Sequence, residues 1–222
     1  MIPAFQDNLL APAAFRSDLV RWRQLVTPAW LAALLAQDEV LAAPAGDWRL
    51  FEVGMGSDEA FLSGHIPGAG FIATHQLEAR PLWNKVSDQA LLRQPDGVLA
   101  SIRTWNEFTG KTSGYAYIQA RGDIQGARWG RAGDADNVNS MSAFHHPDGT
   151  MKPASEICRL WRQSGIHSGQ QTAFYCDTGW RASLAFFYAW LMNWERISVY
   201  DGGWHEWSRH PGNPVVCRAA LA

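Results

Sequence analysis

A chain of 222 residues, 47 % hydrophobic and 18 % charged, is long enough for one domain or two small ones and can bury a substantial core. A formal net charge of -2 excludes the basic footprint of a nucleic-acid binder, and the composition excludes a disordered chain. Three cysteines without paired spacing, Cys158, Cys176 and Cys217, argue against a disulfide framework and a zinc site and fit a reducing compartment.

The opening MIPAFQDNLLAPAAF has neither a basic segment nor a continuous apolar one. No signal peptide is expected, so the location is read as cytoplasmic; a periplasmic one stays open if a leader has been removed. The first 25 or so residues read as an arm or a peripheral helix. Thr27 as cap and Pro28 as first helical residue start a helix with Trp30, Leu31, Leu34 and Leu35 on its apolar face. Trp48 to Val53 reads as a strand and Ser57 to Phe61 as one helical turn. Gly64-His65-Ile66-Pro67-Gly68-Ala69 is a turn into a short strand at Gly70 to Ile72. His65 reads as a turn residue. A helix-like stretch, Val86 to Arg93, and a linker, Gln94 to Gly97, follow.

A second pass begins at Val98, with a strand at Leu99 to Ile102 and a helical turn at Trp105 to Phe108. Gly122-Asp123-Ile124-Gln125-Gly126-Ala127 then matches the earlier turn at four of six positions, and an aromatic residue follows two positions later in both (Phe71, Trp129). With a preceding strand and a Glu-to-Phe step in similar order (Glu59 to Phe61, and Glu107 to Phe108 shifted by one), an internal repeat is the better reading. Lys111, Tyr115 and Arg121 lie in a long segment that is either a lid or an ordinary surface loop. His145-His146, beside Pro147-Asp148-Gly149, reads as a solvated turn. The second copy continues with a helix (Pro153 to Gly165), a strand (Thr172 to Tyr175), a helix (Ala182 to Trp194), a strand (Ile197 to Tyr200) and Asp201-Gly202-Gly203-Trp204. Cys158 reads as core, and a sulfur-relay role for Cys217 is the minor reading. The apolar run Leu184 to Trp194 is too short for a bilayer, so no membrane contact is expected. The 12 Trp read as core packing.

Alternating helices and strands predict a parallel α/β sheet flanked by helices. The first copy lacks the central apolar strand, the cysteine loop and the closing strand. Residues 1–95 therefore read as an incomplete, non-catalytic module and 96–222 as the catalytic domain. Ligands of such sheets bind at the carboxyl ends of the strands. Cys176 stands there, in the stretch FYCDTGWRAS, just before a helix whose amides and dipole stabilise an anion, the thiolate included. Gly179 permits the tight turn. Arg181 adds a fixed charge able to fork onto an oxyanion. Asp177 is expected to point outward, away from the sulfur.

Cys176-Asp177-Thr178-Gly179-Trp180-Arg181, the Asp201-Gly202-Gly203-Trp204 turn and Gly64-His65-Ile66-Pro67-Gly68-Ala69 together resemble the rhodanese family of sulfurtransferases. Tyr115 to Gly130 and Phe174 to Pro214 are similar to the last domain of bacterial tandem rhodaneses. The resemblance implies a rhodanese-like fold with an incomplete N-terminal module and no cofactor or metal. It implies a Cys176 persulfide charged by thiosulfate or a related donor and discharged to cyanide, a thiol or an acceptor protein. By position, Cys176 is the nucleophile, and the amides of Asp177, Thr178, Gly179, Trp180 and Arg181 cradle the outer sulfur. Arg103 matches the arginine of the family's D-x-R step and is implied to bind the donor, although Ser101 stands in place of the acid. Two alternatives stay open, a non-catalytic binding module and a thiolate-loop phosphatase or arsenate reductase; the four residues between Cys176 and Arg181 favour sulfur over phosphate.

Overall fold

The computed structural model describes residues 16–77 and 97–220. These fall into two compact units, one of 16–17 and 22–77, the other of 18–21 and 97–220. The expected helix at Val86 to Arg93 and most of the expected linker lie outside the described residues.

In the first unit, α1 (Pro28–Leu35) starts where its signals put it. The Thr27 hydroxyl accepts from the Trp30 amide at 3.2 Å, and Pro28 fills a position that needs no donor. Trp30 and Ala33 are buried with Val40. Strand β1 (Phe51–Gly54) starts three residues later than expected and pairs in parallel with β2 (Gly70–Ala73). α2 (Glu59–Ser63) links them, and α3 (Thr74–Leu77) follows. Phe51 and Val53, on one face of β1, are 50 % and 55 % exposed.

The second unit holds a four-stranded, all-parallel sheet in the order β5-β3-β6-β7, formed by β3 (Gly97–Ser101), β5 (Arg128–Trp129), β6 (Gln171–Tyr175) and β7 (Ile197–Val199). A separate antiparallel pair joins β4 (Asp123–Ile124) to β8 (Val215–Val216). The helices are α4 (Trp105–Thr109), α5 (Ala154–Gln163), α6 (Trp180–Leu191) and α7 (Gly203–Trp207). Strand β6 shows why it lies inside the sheet. Thr172 to Tyr175 are all buried, and successive side chains serve opposite faces. Phe174 packs on Trp161 of α5 at 5.3 Å between centroids, and Trp161 packs on Trp194 at 5.1 Å. Ala173 and Tyr175 join Leu99, Tyr200 and the α7 residues Trp204 and Trp207 in a second core. Helical layers thus cover both faces, and among the described residues of this unit Trp161, Trp194, Trp204 and Trp207 are buried as expected of core residues. Trp180, beside the cysteine loop, is 45 % exposed instead. No helix among the described residues is long and apolar enough to cross a membrane.

The repeat is written in the strand register. Glu52 pairs with Phe71 and Ser101 with Trp129, so the two aromatic residues that follow the matching turns occupy equivalent places. By this register Gly54 corresponds to Arg103.

Two details differ from expectation. Residues 18–21, read as part of an arm, are built into the second unit: Asp18 accepts from the Ala154 amide at 2.7 Å, capping α5 where Pro153 offers no side-chain acceptor, and the Arg21 amide donates to the Leu191 carbonyl at 3.0 Å. Helix α6 runs earlier than expected at both ends. It starts behind Gly179, whose φ of 93° turns the chain, and stops before Asn193 at φ 66°, where the Trp194 amide reaches back to the Ala189 carbonyl at 3.0 Å.

The short α4 depends on its cap. The Glu107 amide donates to the Thr104 hydroxyl at 3.3 Å and the Thr104 amide to Glu107 Oε2 at 2.7 Å, a reciprocal capping box. Thr104→Ala is expected to cost about 1 kcal/mol in urea unfolding. A change within error would mean that the Glu107 side chain alone holds the turn.

Candidate active site

Cys176 follows the last residue of β6 and is fully buried, and α6 begins four residues on. The loop between them is fixed from behind. The Trp204 amide donates to the Cys176 carbonyl at 2.8 Å, and the His205 amide to the Asp177 carbonyl at 3.0 Å. The D-G-G-W element is therefore the amino end of α7, and its free amides seize two loop carbonyls. Gly203, at φ 54°, makes the approach possible, because a Cβ there would lie 2.4 Å from the Cys176 carbonyl oxygen. In a trans peptide the N–H points opposite to the C=O. The amides of Asp177 and Thr178 are thus turned away from α7. The Gly179 carbonyl accepts from the Ser183 amide at 2.8 Å, the first closed turn of α6. The amides from Asp177 to Ala182 have no backbone carbonyl partner among the described residues. Gly179 is held as tightly, since a Cβ would meet Asp201 Oδ1 at 2.4 Å.

Asp177 does not point outward. It is fully buried, with Oδ1 2.7 Å from Arg103 Nε and Oδ2 2.9 Å from Arg181 Nη2. The reason is the charge beneath the loop: two guanidiniums face three carboxylates. Arg181 spends its fork on Glu107 at 2.8 and 3.0 Å. Arg103 is sealed from solvent; Nη1 donates to the Gly122 carbonyl at 2.7 Å and lies 3.5 Å from Asp123 Oδ2, and Nη2 donates to the Ser113 carbonyl at 3.3 Å. Gly114, at φ 93°, closes over the cluster, where a Cβ would lie 2.4 Å from Asp177 Oδ2 and 2.5 Å from Glu107 Oε1. Aromatic rings cover both cations, Trp204 at 5.2 Å from Arg103 Cζ and Tyr115 at 5.7 Å from Arg181 Cζ.

The structure thus corrects the sequence reading of the arginines. Neither offers a solvent-facing fork to a donor. Arg103 acts beneath the loop, and Arg181 keeps only a buried Nε–H without a hydrogen-bond partner among the described residues. The charges settle accordingly. Burial alone would raise the Glu107 carboxyl, but the hydrogen bonds and charge of Arg181, with Arg103, hold it at about 2. Burial raises Asp177, and the adjoining Glu107 adds to the rise against the pull of the arginines.

Glu107, Asp123 and Tyr117 were not singled out for the site. The T-x-x-E spacing of Thr104 and Glu107 could have shown a capping box, but not that the same carboxylate reaches Arg181. Asp123 supplies the acid that Ser101 lacks. It accepts from the Ser101 hydroxyl at 2.8 Å, from the Ile124 amide at 2.8 Å and from the Tyr175 hydroxyl. In the first unit Glu52 does the equivalent work, accepting from the Ile66 amide at 2.5 Å. The carboxylate moved from strand end to turn between the two copies.

Of the lid segment, Tyr115 and Tyr117 stack at 5.5 Å, and Tyr117 meets the His205 ring edge-on at 5.7 Å. The Tyr115 hydroxyl donates to Asn139 Oδ1 at 3.2 Å, and the Tyr117 hydroxyl lies against Thr178. Lys111 and Arg121 are exposed. The other candidates fall elsewhere. Cys158 is half-buried, 3.4 Å from the Met192 sulfur, and burial pushes its thiol up. Cys217 is half-buried against the Thr109 and Gly110 carbonyls, both at 3.9 Å. His145 is no solvated turn residue, since its ring is bonded to the Tyr188 hydroxyl.

A parallel sheet with a cysteine loop at the carboxyl end of an inner strand, clamped by a D-G-G-W helix, defines a class, and the comparisons agree. A family model for the rhodanese-like domain matches residues 86–210. Thiosulfate sulfurtransferase YnjE of Escherichia coli (strain K12) is 35 % identical over 306 residues, covering 97 % of this chain and 70 % of that protein. The crystal structure of YnjE superposes with a TM-score of 0.80 and 36 % identity over 89 % of this chain and 69 % of that one. The anaerobic ergothioneine biosynthesis enzyme of Chlorobium limicola, solved with trimethyl histidine, gives a TM-score of 0.75 and 26 % identity over 89 % of this chain and 71 % of that one. The chain belongs to the rhodanese family of sulfurtransferases. The YnjE match runs over 306 residues against 222 here, so YnjE carries sequence inside the matched region that this chain lacks.

Proposed function

We propose that this enzyme moves sulfane sulfur from thiosulfate through a Cys176 persulfide to cyanide, a small thiol or an acceptor protein. The observation that carries the reading is the clamp on the loop. With the Cys176 and Asp177 carbonyls drawn onto α7, the following amides are left to cradle a negative sulfur above the amino end of α6. The Cys176 thiolate attacks the outer sulfur of thiosulfate, the S–S bond of the donor breaks and sulfite leaves with its electron pair. An acceptor thiolate then attacks the outer sulfur of the persulfide and releases the Cys176 thiolate. Asp177, Thr178, Gly179, Trp180 and Arg181 serve chiefly through backbone N–H groups, and the buried Arg181 Nε–H, without a partner among the described residues, is a further available donor. Arg103, Glu107 and Asp123 are positioning residues that fix Asp177 and hence the loop. In this reading residues 1–95 form a non-catalytic module and 96–222 the catalytic domain. A cytoplasmic location suits three free cysteines and a thiol that must cycle. The names of the relatives support thiosulfate as donor, YnjE being a thiosulfate sulfurtransferase. A protein acceptor is consistent with the likeness to sulfur carrier protein TtuD of Thermus thermophilus, 28 % identical over 56 % of this chain and 43 % of that protein.

Intact-mass spectrometry after treatment with thiosulfate tests the reading. The wild type is expected to gain the mass of one sulfur atom and lose it on addition of cyanide, and Cys176→Ser is expected to gain none. A folded wild type that stays unmodified, or an equal gain in the serine variant, would refute it.

A further inference from the structure

The charge budget of the loop leaves the donor's sulfonate without the cation that the sequence suggested for it. When thiosulfate gives up its outer sulfur, negative charge gathers on the departing sulfite oxygens, and a site must meet that charge with donors fixed in advance. Arg103 is sealed from solvent with both terminal nitrogens committed, and the terminal nitrogens of Arg181 are bound to Glu107 and Asp177. The loop amides and the Arg181 Nε–H serve the inner end of the ligand, close to the buried sulfur of Cys176. The segment 115–117 lies beside the loop, with Tyr115 over Arg181 and Tyr117 next to Thr178. Lys111 and Arg121 are exposed.

Tyr117 has the properties the outer position requires. Its side chain is 60 % exposed, yet its ring is held on two sides, stacked on Tyr115 at an interplanar angle of 6° and edge-on to His205. Tyr115 is itself anchored through Asn139 and over Arg181, and the His205 amide is bonded to the Asp177 carbonyl. The Tyr117 hydroxyl is thereby parked against Thr178, the half-buried residue two positions after Cys176. We propose that Tyr117 is the residue that binds the sulfonate of the sulfur donor, a neutral hydroxyl donating where the arginines cannot. The inference rests on the sulfurtransferase reading and specifies its donor site. A neutral donor suits this place, because the cluster beneath already pairs its two cations with carboxylates and a free cation at the rim would compete for them. Burial pushes the phenol up, so the hydroxyl keeps its proton for donation at physiological pH. The reaction is the one written above, with the Tyr117 O–H bonded to a sulfonate oxygen before and after the S–S bond breaks; no proton is transferred.

The test separates two sulfur donors. Single-turnover loading of Cys176 is followed by mass for the wild type and Tyr117→Phe, with thiosulfate and with glutathione persulfide, which bears no sulfonate. The variant is expected to lose roughly 10-fold in loading by thiosulfate, mainly in the concentration needed for half-saturation, as befits one hydrogen bond to a charged group. Loading by glutathione persulfide, and discharge of the loaded variant to cyanide, are expected to stay within about 2-fold of the wild type, roughly the limit for surface changes. An equal loss with both donors would assign Tyr117 to loop structure, and no loss with thiosulfate would remove it from the donor site; either overturns the inference. Failure of the wild type to load from either donor would instead sink the sulfurtransferase reading itself.

Discussion

Glu107→Ala is expected to destabilise the second unit by about 3–5 kcal/mol, because it strips the buried Arg181 guanidinium of both hydrogen bonds of its fork and removes one partner of a buried ion pair. Glu107 accepts both forks of Arg181, lies 3.8 Å from Arg103 Nε and caps α4 through the Thr104 amide, all fully buried. Urea unfolding reads the loss directly, and a fall of the melting temperature of roughly 10 °C or more should accompany it. Glu107→Gln keeps the shape and part of the hydrogen bonding and should lose less. The acid side carries a second signature. The folded Glu107 carboxyl is held at about 2, below its unfolded value, so its contribution is complete above the ordinary carboxylate range and is lost as the pH falls toward 2. The wild type should weaken through that window, and Glu107→Ala should lack this component. A cost below about 1 kcal/mol, the range of exposed ion pairs, would show that Asp177 and Asp123 balance the arginines without it.

Gly203→Ala is expected to slow loading strongly while leaving Cys176 and every charged group in place. The added methyl would lie 2.4 Å from the Cys176 carbonyl oxygen and 2.6 Å from that of Asp177, at a φ of 54° that side chains rarely adopt. Either α7 or the loop must retreat, and the bonds from the Trp204 and His205 amides go with it. Strain and two lost backbone bonds together cost about 2–4 kcal/mol. A shift of the loop amides on the order of 1 Å should slow loading by thiosulfate roughly 100-fold. Mass-detected single turnovers give the rate, and circular dichroism confirms that the fold survives. Loading at the wild-type rate in a folded Gly203→Ala protein would mean that the α7 clamp does not set the loop geometry.

The sequence alone determined what local rules determine. Thr27-Pro28 placed a helix start because a hydroxyl acceptor and a residue without an N–H both suit that end. The apolar run before Cys176 marked an inner strand because only a strand covered on both faces is apolar at successive positions. The matching turns at 64–69 and 122–127 pointed to two copies, and Cys176, Gly179 and Arg181 in order before an apolar helix marked the candidate site. Only the tertiary structure decided how the charges are spent. Whether Arg181 faces a ligand or Glu107, 74 positions away, depends on where α4 lies against α6, and no spacing rule encodes that. Asp177 turns inward for the same reason, since the energy of a buried carboxylate is set by the two guanidiniums packed around it rather than by its neighbours in the chain. Likewise D-G-G-W read as a turn, and the fold made it the clamp that aims the loop's amides. Local signals fix where elements begin and end, whereas the role of a charged side chain is set by partners that long-range packing brings within 3 Å.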